Sequence, residues 1–249
     1  MGDILLGLPF ILLASMVGTI AGIPFVGLDG LEEFLASDAE VVVPPAMLVC
    51  SLIGQQLGQG LWPLVVSHWK GLGPVADWGL RFKPVDLALG VGTTLIALGG
   101  ATVASAITSV VVDLNDESAA DNTQFLDDAR GTPWLYLLLA LVVIGAPLSE
   151  ELLFRGLILR SIEKRAGSVA AVIGSTGLFI LPHWAGAGPA GTLVLFSGIG
   201  VVGIVLGVVT VKVGRLWPAI LAHVGFNVVG AMAGLGLFDV AETMESLGV

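Results

Sequence analysis

Charge is what this chain has least of. Only 12% of its 249 residues are charged, where about a quarter is ordinary for a soluble domain, and the mean hydropathy is +0.97. So little charge cannot cover a water-facing surface, which excludes a soluble globule and leaves a polytopic membrane protein. Cations are scarcer still: 10 Lys and Arg stand against 20 Asp and Glu, a net charge of -10 that argues against nucleic acid as a partner. The single cysteine, Cys50, excludes an intramolecular disulfide and leaves the redox compartment open. No HExxH stretch occurs and no serine sits in a nucleophile elbow, so neither zincin nor serine-hydrolase chemistry is suggested. Internal repeats are lacking too, as is any composition shift long enough to mark a soluble module. One membrane domain over residues 1–249 is therefore expected.

What the chain does have is long apolar runs. Seven approach or reach spanning length: Ile4 to Val26, Val41 to Val66, Leu87 to Val112, Trp134 to Leu159, Ser168 to Trp184, Thr192 to Val211 and Leu216 to Leu237. They predict an all-α transmembrane helical bundle of about seven spanning helices. The first run follows Asp3, not a basic segment, and so reads as a retained helix and not as a secretory signal. The second contains Pro44-Pro45, Gln55-Gln56 and several glycines, which predicts an irregular, bent or interfacial helix. The 35 glycines are spread through the runs, as close helix packing in a membrane requires.

Alternate linkers differ in charge. Lys70, Arg81 and Lys83 follow the second run, Arg160, Lys164 and Arg165 the fourth, and Lys212 and Arg215 the sixth. Between them lie Asp29, Glu32, Glu33, Asp38 and Glu40, then Asp113, Asp116, Glu117, Asp121, Asp127 and Asp128, with Arg130 the one exception. The positive-inside rule then places the basic linkers and the N-terminus in the cytoplasm and the C-terminus outside.

The costliest stretch is Ser149-Glu150-Glu151-Leu152-Leu153-Phe154-Arg155-Gly156, which sets two carboxylates and a guanidinium inside the fourth run. One charge at the centre of a spanning helix is disfavoured by about 2.5 to 3.5 kcal/mol on insertion scales. Glu151 and Arg155, at i and i+4, can offset each other on a helix; Glu150 has no partner in its own segment.

Three other polar groups lie deep in spans: His183 in the fifth, and His223 with Asn227 in the seventh. His68, beside Trp69 and Lys70, reads as an interfacial residue. At a rise of about 1.5 Å per residue, Glu150 lies about 15 Å, His223 about 12 Å, Asn227 about 18 Å and His183 about 22 Å from the basic edge. All four fall in the central part of a core about 30 Å thick. A lone intramembrane His or Asn is commonly a link between helices. An unpaired Glu reads as function, and the shared depth extends that reading to the whole set.

A carboxylate and an imidazole can together hold a water and take its proton. His223 and Asn227, one turn apart, could then donate to the oxyanion formed when that water attacks an amide. The set suits peptide hydrolysis. It also leaves a metal open, since His183, His223 and a Glu could supply three ligands.

Glu150-Glu151-x-x-x-Arg155, Phe179-x-x-x-His183 and His223-x-x-x-Asn227, in that order and in separate apolar runs, resemble the three motifs of the CPBP family. This family, also called ABI, comprises the CAAX prenyl endopeptidases and the bacteriocin-processing or self-immunity proteins. The likeness runs from Trp134 to about Leu237, a catalytic core of approximately 134–237, and leaves residues 1–112 as accessory helices. Gly79-Leu80-Arg81 with Pro84 and Asp86 loosely resembles the cytoplasmic lead into a helix that precedes the core in such proteins.

The resemblance implies an intramembrane endopeptidase in which Glu150 and His183 activate the hydrolytic water. His223 and Asn227 would stabilise the oxyanion, with Glu151 and Arg155 in support. Members are described both as glutamic proteases, which need no cofactor, and as metalloproteases, for which Glu150, His183 and His223 would hold zinc. The metal-free version is favoured slightly, because Asn is an ordinary oxyanion donor and a poor zinc ligand. The implied partners are a peptide or protein substrate, prenylated or membrane-embedded, and membrane lipid. The implied location is a multi-pass membrane protein, in the plasma membrane if prokaryotic. The same residues also suit a proton-coupled transporter or a non-catalytic scaffold of the bacteriocin-immunity kind.

Overall fold

The computed structural model describes residues 2–36, 43–112, 123–184 and 188–237, and among them every regular element is helical. Helix α1 is Gly2–Ala36, interrupted at Gly27, and α2 is Pro45–Lys70. A short α3, Pro74–Trp78, precedes α4, Val85–Val111, and a short α5, Gln124–Asp128, precedes the long run that begins at Trp134. Helices α8, Pro189–Val213, and α9, Trp217–Gly234, complete the bundle.

Five helical runs are long and apolar enough to cross a membrane: Leu5–Gly27, Val85–Val111, Trp134–His183, Pro189–Val213 and Trp217–Gly234. The protein is thus an integral membrane, all-α polytopic bundle. The 50-residue run Trp134–His183 contains the fourth and fifth apolar runs of the sequence. Gly167, at φ 81 and ψ 172, breaks it into α6 (134–166) and α7 (168–180), in a conformation open essentially to glycine alone. Beyond the break α7 folds back along α6: Leu159 clusters with Ala171 and Val172, and Phe154 meets Phe179 edge-on at 5.2 Å.

Helix α2 is not among the five, and neither is it irregular. It is unbroken from Pro45 to Lys70, with Pro44 at its N-cap and Pro45 opening the first turn. There the N–H that proline lacks would have had no helical partner, so the Pro-Pro pair starts the helix instead of bending it. Its glutamines lower the hydropathy, and Gln59, 5% exposed, is turned into the protein.

Helices α1 and α2 are joined through glycines. Gly18 and Gly22 of α1 lie against Cys50 and Met47 of α2, Gly54 and Gly58 of α2 lie against Ala14 and Ile11 of α1, and a Cβ on Gly54 would stand 2.1 Å from the carbonyl oxygen of Ala14. With lipid on the outside, such close backbone contact replaces the hydrophobic drive that water would supply. Gly54→Val is expected to lower stability by about 1–3 kcal/mol through forced separation of the two helices. Thermal unfolding of the purified protein in detergent checks this; an unchanged midpoint would refute the close contact.

Two apolar cores flank the hairpin α6–α7. One joins Ile11 of α1 to Leu153, Phe154, Leu157 and Ile158 of α6, Phe179 of α7 and Ile199 of α8. The other packs Ala97 and Ala101 of α4 against Val202 and Leu206 of α8 and Ala219 and Ala222 of α9. Leu12 on α1 and Val91, Leu95, Ile96 and Ile107 on α4 stay exposed, as an apolar face toward lipid requires.

The ends of α2, α6 and α8 and the starts of α4 and α9 converge, which gathers Lys70, Lys83, Arg160, Lys164 and Arg215 at one end of the bundle. There Arg215 grips Asp86 through Nε at 3.1 and 3.3 Å and through Nη2, and the hydrogen bond raises the Arg215 pKa above its ordinary value. The acidic segments holding Asp38, Glu40, Asp113, Asp116, Glu117 and Asp121 lie outside the described residues, as do Val41 and residues 238–249.

Candidate active site

Two stretches of α6, Leu141–Gly145 and Glu151–Leu159, are wound as π-helix, and Glu150 and Glu151 stand where the second begins. Widened turns of this kind are frequent at functional sites. Glu151 and Arg155 are wholly buried, and Arg155 Nη1 donates to Glu151 Oε1 at 2.9 Å, as the i, i+4 spacing predicts. Arg155 also reaches across to α8, where Nη2 donates to the carbonyl of Gly203 at 3.1 Å.

The long-range partner of the motif is His223 of α9, 4% exposed. Its Nδ1 lies 3.0 Å from Glu151 Oε1 and its Nε2 lies 3.8 Å from Glu150 Oε2. A carboxylate oxygen accepts, so the Nδ1 carries the proton of the shorter contact. The longer contact exceeds hydrogen-bond range and leaves Nε2 and Glu150 facing each other without a direct bond. The residue that needed a partner by sequence is therefore held loosely, while Glu151 is shared tightly between Arg155 and His223. Glu150 Oε2, Glu151 Oε2 and Arg155 Nε are buried with no hydrogen-bond partner among the described residues.

Phe179 of α7 packs this network. Its ring centroid lies 4.4 Å from Arg155 Cζ, 5.7 Å from the His223 ring and 4.9 Å from the His183 ring. The guanidinium over the aromatic face gains a cation–π contact while wholly buried. His183 is half-buried in a 3₁₀ turn, Leu181–His183, that ends α7. Its Nδ1 donates to the carbonyl of Phe179 at 2.9 Å, which in the neutral ring leaves the lone pair on Nε2. Asn227 Nδ2 donates to the carbonyl of Val142 at 2.8 Å, in the first π stretch of α6.

Of the residues singled out by sequence, Glu150, Glu151, Arg155 and His223 thus form one network, and His183 joins it through Phe179. Asn227 is fastened to the same helix nearer its N-terminus. Among the described residues no three His, Cys, Asp or Glu side chains are grouped so that they could hold a metal ion.

Sequence reasoning missed the α2 contribution. Gln56 Nε2 donates to the carbonyl of Leu141 at 3.0 Å, and the Ser149 hydroxyl donates to Gln59 Oε1 at 3.3 Å, one residue before Glu150. The signal was present as Gln56-x-x-Gln59, one polar helix face inside an apolar run. Beside these residues, α1, α2, α6 and α7 enclose a largely apolar cavity of about 440 Å³, whose lining includes Ile11, Gln59, Phe154, Leu178 and Pro182.

Residues 132–229 match the family model described as type II CAAX prenyl endopeptidase Rce1-like. The match starts just before α6 and ends inside α9, so it takes in all seven named motif residues and leaves α1, α2 and α4 outside. No curated protein matches the chain, and no solved structure does.

Proposed function

We propose that this chain, Rce1-like over residues 132–229, is an intramembrane endopeptidase that hydrolyses a peptide bond with water activated by Glu150 and His183. At family level an Rce1-like segment supports a CAAX-protease-like activity. One observation carries the finer reading. Glu150 faces the Nε2 of His223 at 3.8 Å with a buried oxygen that has no hydrogen-bond partner among the described residues, while its neighbour Glu151 is bonded through Oε1 to both Arg155 and His223.

In this reading the Glu150 carboxylate takes a proton from the water as its oxygen attacks the amide carbon, and the imidazole of His183 holds the same water. Charge moves to the amide oxygen, which accepts from protonated His223 at Nε2 and from the second N–H of the Asn227 amide. Glu151 holds the Nδ1–H of His223, so before the proton transfer the carboxylates of Glu150 and Glu151 face two cations, His223 and Arg155. When the carbon–nitrogen bond breaks, the proton on Glu150 passes to the departing amine. No step is routed through a metal.

The substrate proposed is a peptide carrying an apolar chain, prenyl in the description of the matched family, with that chain in the 440 Å³ cavity beside Phe154. The test is cleavage of a farnesylated peptide by the purified protein in detergent, read as carboxyl-terminal fragment by mass spectrometry. Leu178→Trp, which fills part of the cavity, is expected to raise KM about tenfold with kcat little changed, a loss of roughly 1.4 kcal/mol of binding. Equal KM for farnesylated and bare peptide in the wild type would remove the cavity from the reading. Proton uptake into proteoliposomes with no peptide cleaved would replace the endopeptidase by a transporter.

A further inference from the structure

We infer that Gln56, on a helix outside the Rce1-like segment, is a positioning residue of the site: with Asn227 it clamps the widened turn of α6 that aims Glu150 and Glu151. The inference rests on the endopeptidase reading only for its kinetic consequence.

The turn has a local cause. Pro147 has no N–H, and its ring crowds the carbonyl of Val143 four residues back. The helix relieves the crowding by widening: the N–H of Ala146 bonds to the carbonyl of Leu141, five residues back and not four. That shift strands the carbonyl of Val142. Its α-helical donor, the Ala146 N–H, is spent on Leu141, and its π-helical donor would be the N–H that Pro147 lacks. A stranded carbonyl in a membrane interior needs a side chain. Asn227 Nδ2 meets it at 2.8 Å, and Gln56 Nε2 meets the neighbouring carbonyl of Leu141 at 3.0 Å.

Two carboxamides, one from α2 and one from α9, thus hold adjacent carbonyls of one turn from either side. Gly145 makes room for the first, because a Cβ there would stand 2.1 Å from Gln56 Oε1. Ser149, bonded to the carbonyl of Gly145 at 3.0 Å and to Gln59 at 3.3 Å, carries the hold down to the residue before Glu150. The phase of α6 beyond the wide turn decides which way both carboxylates point. If the turn relaxed to α-helical winding, each would rotate away from His223.

Gln56→Met keeps length and removes the donor. Gly145→Ala keeps Gln56 and displaces the flexible end of its side chain. Each is expected to lower kcat about ten- to a hundredfold with KM held, as misplacement of reacting groups does. Each is also expected to speed amide hydrogen exchange across residues 141–146 about tenfold. The double variant should fall no further than the worse single one, because both remove the same contact. Effects that multiply in the double variant, or a wild-type kcat measured well below a lowered melting midpoint, would overturn the positioning role. Exchange needs no substrate, so a chain that cleaves nothing defeats the endopeptidase reading alone, while unchanged exchange in both single variants defeats the clamp.

Discussion

Glu150→Gln is expected to lower kcat for peptide cleavage by about 10²- to 10⁴-fold, the range for loss of a general base, while the bundle stays folded. The substitution is close to isosteric. Glu150 makes no hydrogen bond at Oε2, lies outside the Glu151–Arg155 pair, and meets His223 only at 3.8 Å, so little native bonding is lost with its charge. Activity and stability should therefore separate. The measurements are initial rate on a peptide substrate and the thermal midpoint of the same preparation. A rate within tenfold of wild type would remove Glu150 from the reaction. A midpoint that collapses with the rate would instead make its role structural.

Arg155→Met should behave in the opposite way, with a stability loss of about 3–5 kcal/mol, the usual cost of removing one partner from a buried ion pair. Arg155 and Glu151 are both fully buried, and the guanidinium also serves the Gly203 carbonyl and lies on Phe179. Its removal leaves Glu150 and Glu151 side by side with only His223 to answer them. The double variant Glu151→Gln with Arg155→Met takes away charge of both signs and should recover more than half of the loss, because the penalty of an unpaired buried carboxylate disappears. Equilibrium unfolding of the three variants in detergent reads the cycle. Wild-type stability in Arg155→Met would show that the pair carries no net stabilisation.

The two predictions differ because two adjacent glutamates have different surroundings, and adjacency in sequence conceals this. On a helix, consecutive side chains point about 100° apart, so Glu151 can reach both Arg155 and His223 while Glu150 only approaches the far nitrogen of His223. The spacing of Glu151 and Arg155 was readable, since an i, i+4 pair depends on helix winding alone. That His223 would close on Glu151, 72 residues away, and only approach Glu150 was not readable. Phe179 was visible as a motif position, but its contact with a guanidinium and two imidazoles depends on α7 folding back along α6 at Gly167.

Composition and run length by themselves determined a helical membrane bundle, because apolar stretches of spanning length with so little charge have no stable alternative in water. Sequence alone also picked out the residues too costly to be there by accident: Glu150, Glu151, Arg155, His183, His223 and Asn227. Tertiary structure alone decided how they are joined, which glutamate is bound and which is left facing an imidazole. It also turned Gln56 and Gln59 of α2 from an apparent flaw in a span into a donor to the widened turn of α6 and an acceptor from Ser149. The physical reason is range. Hydrophobicity and winding act within a few residues of the chain, whereas a buried carbonyl or carboxylate is satisfied by whichever helix packing brings within about 3 Å.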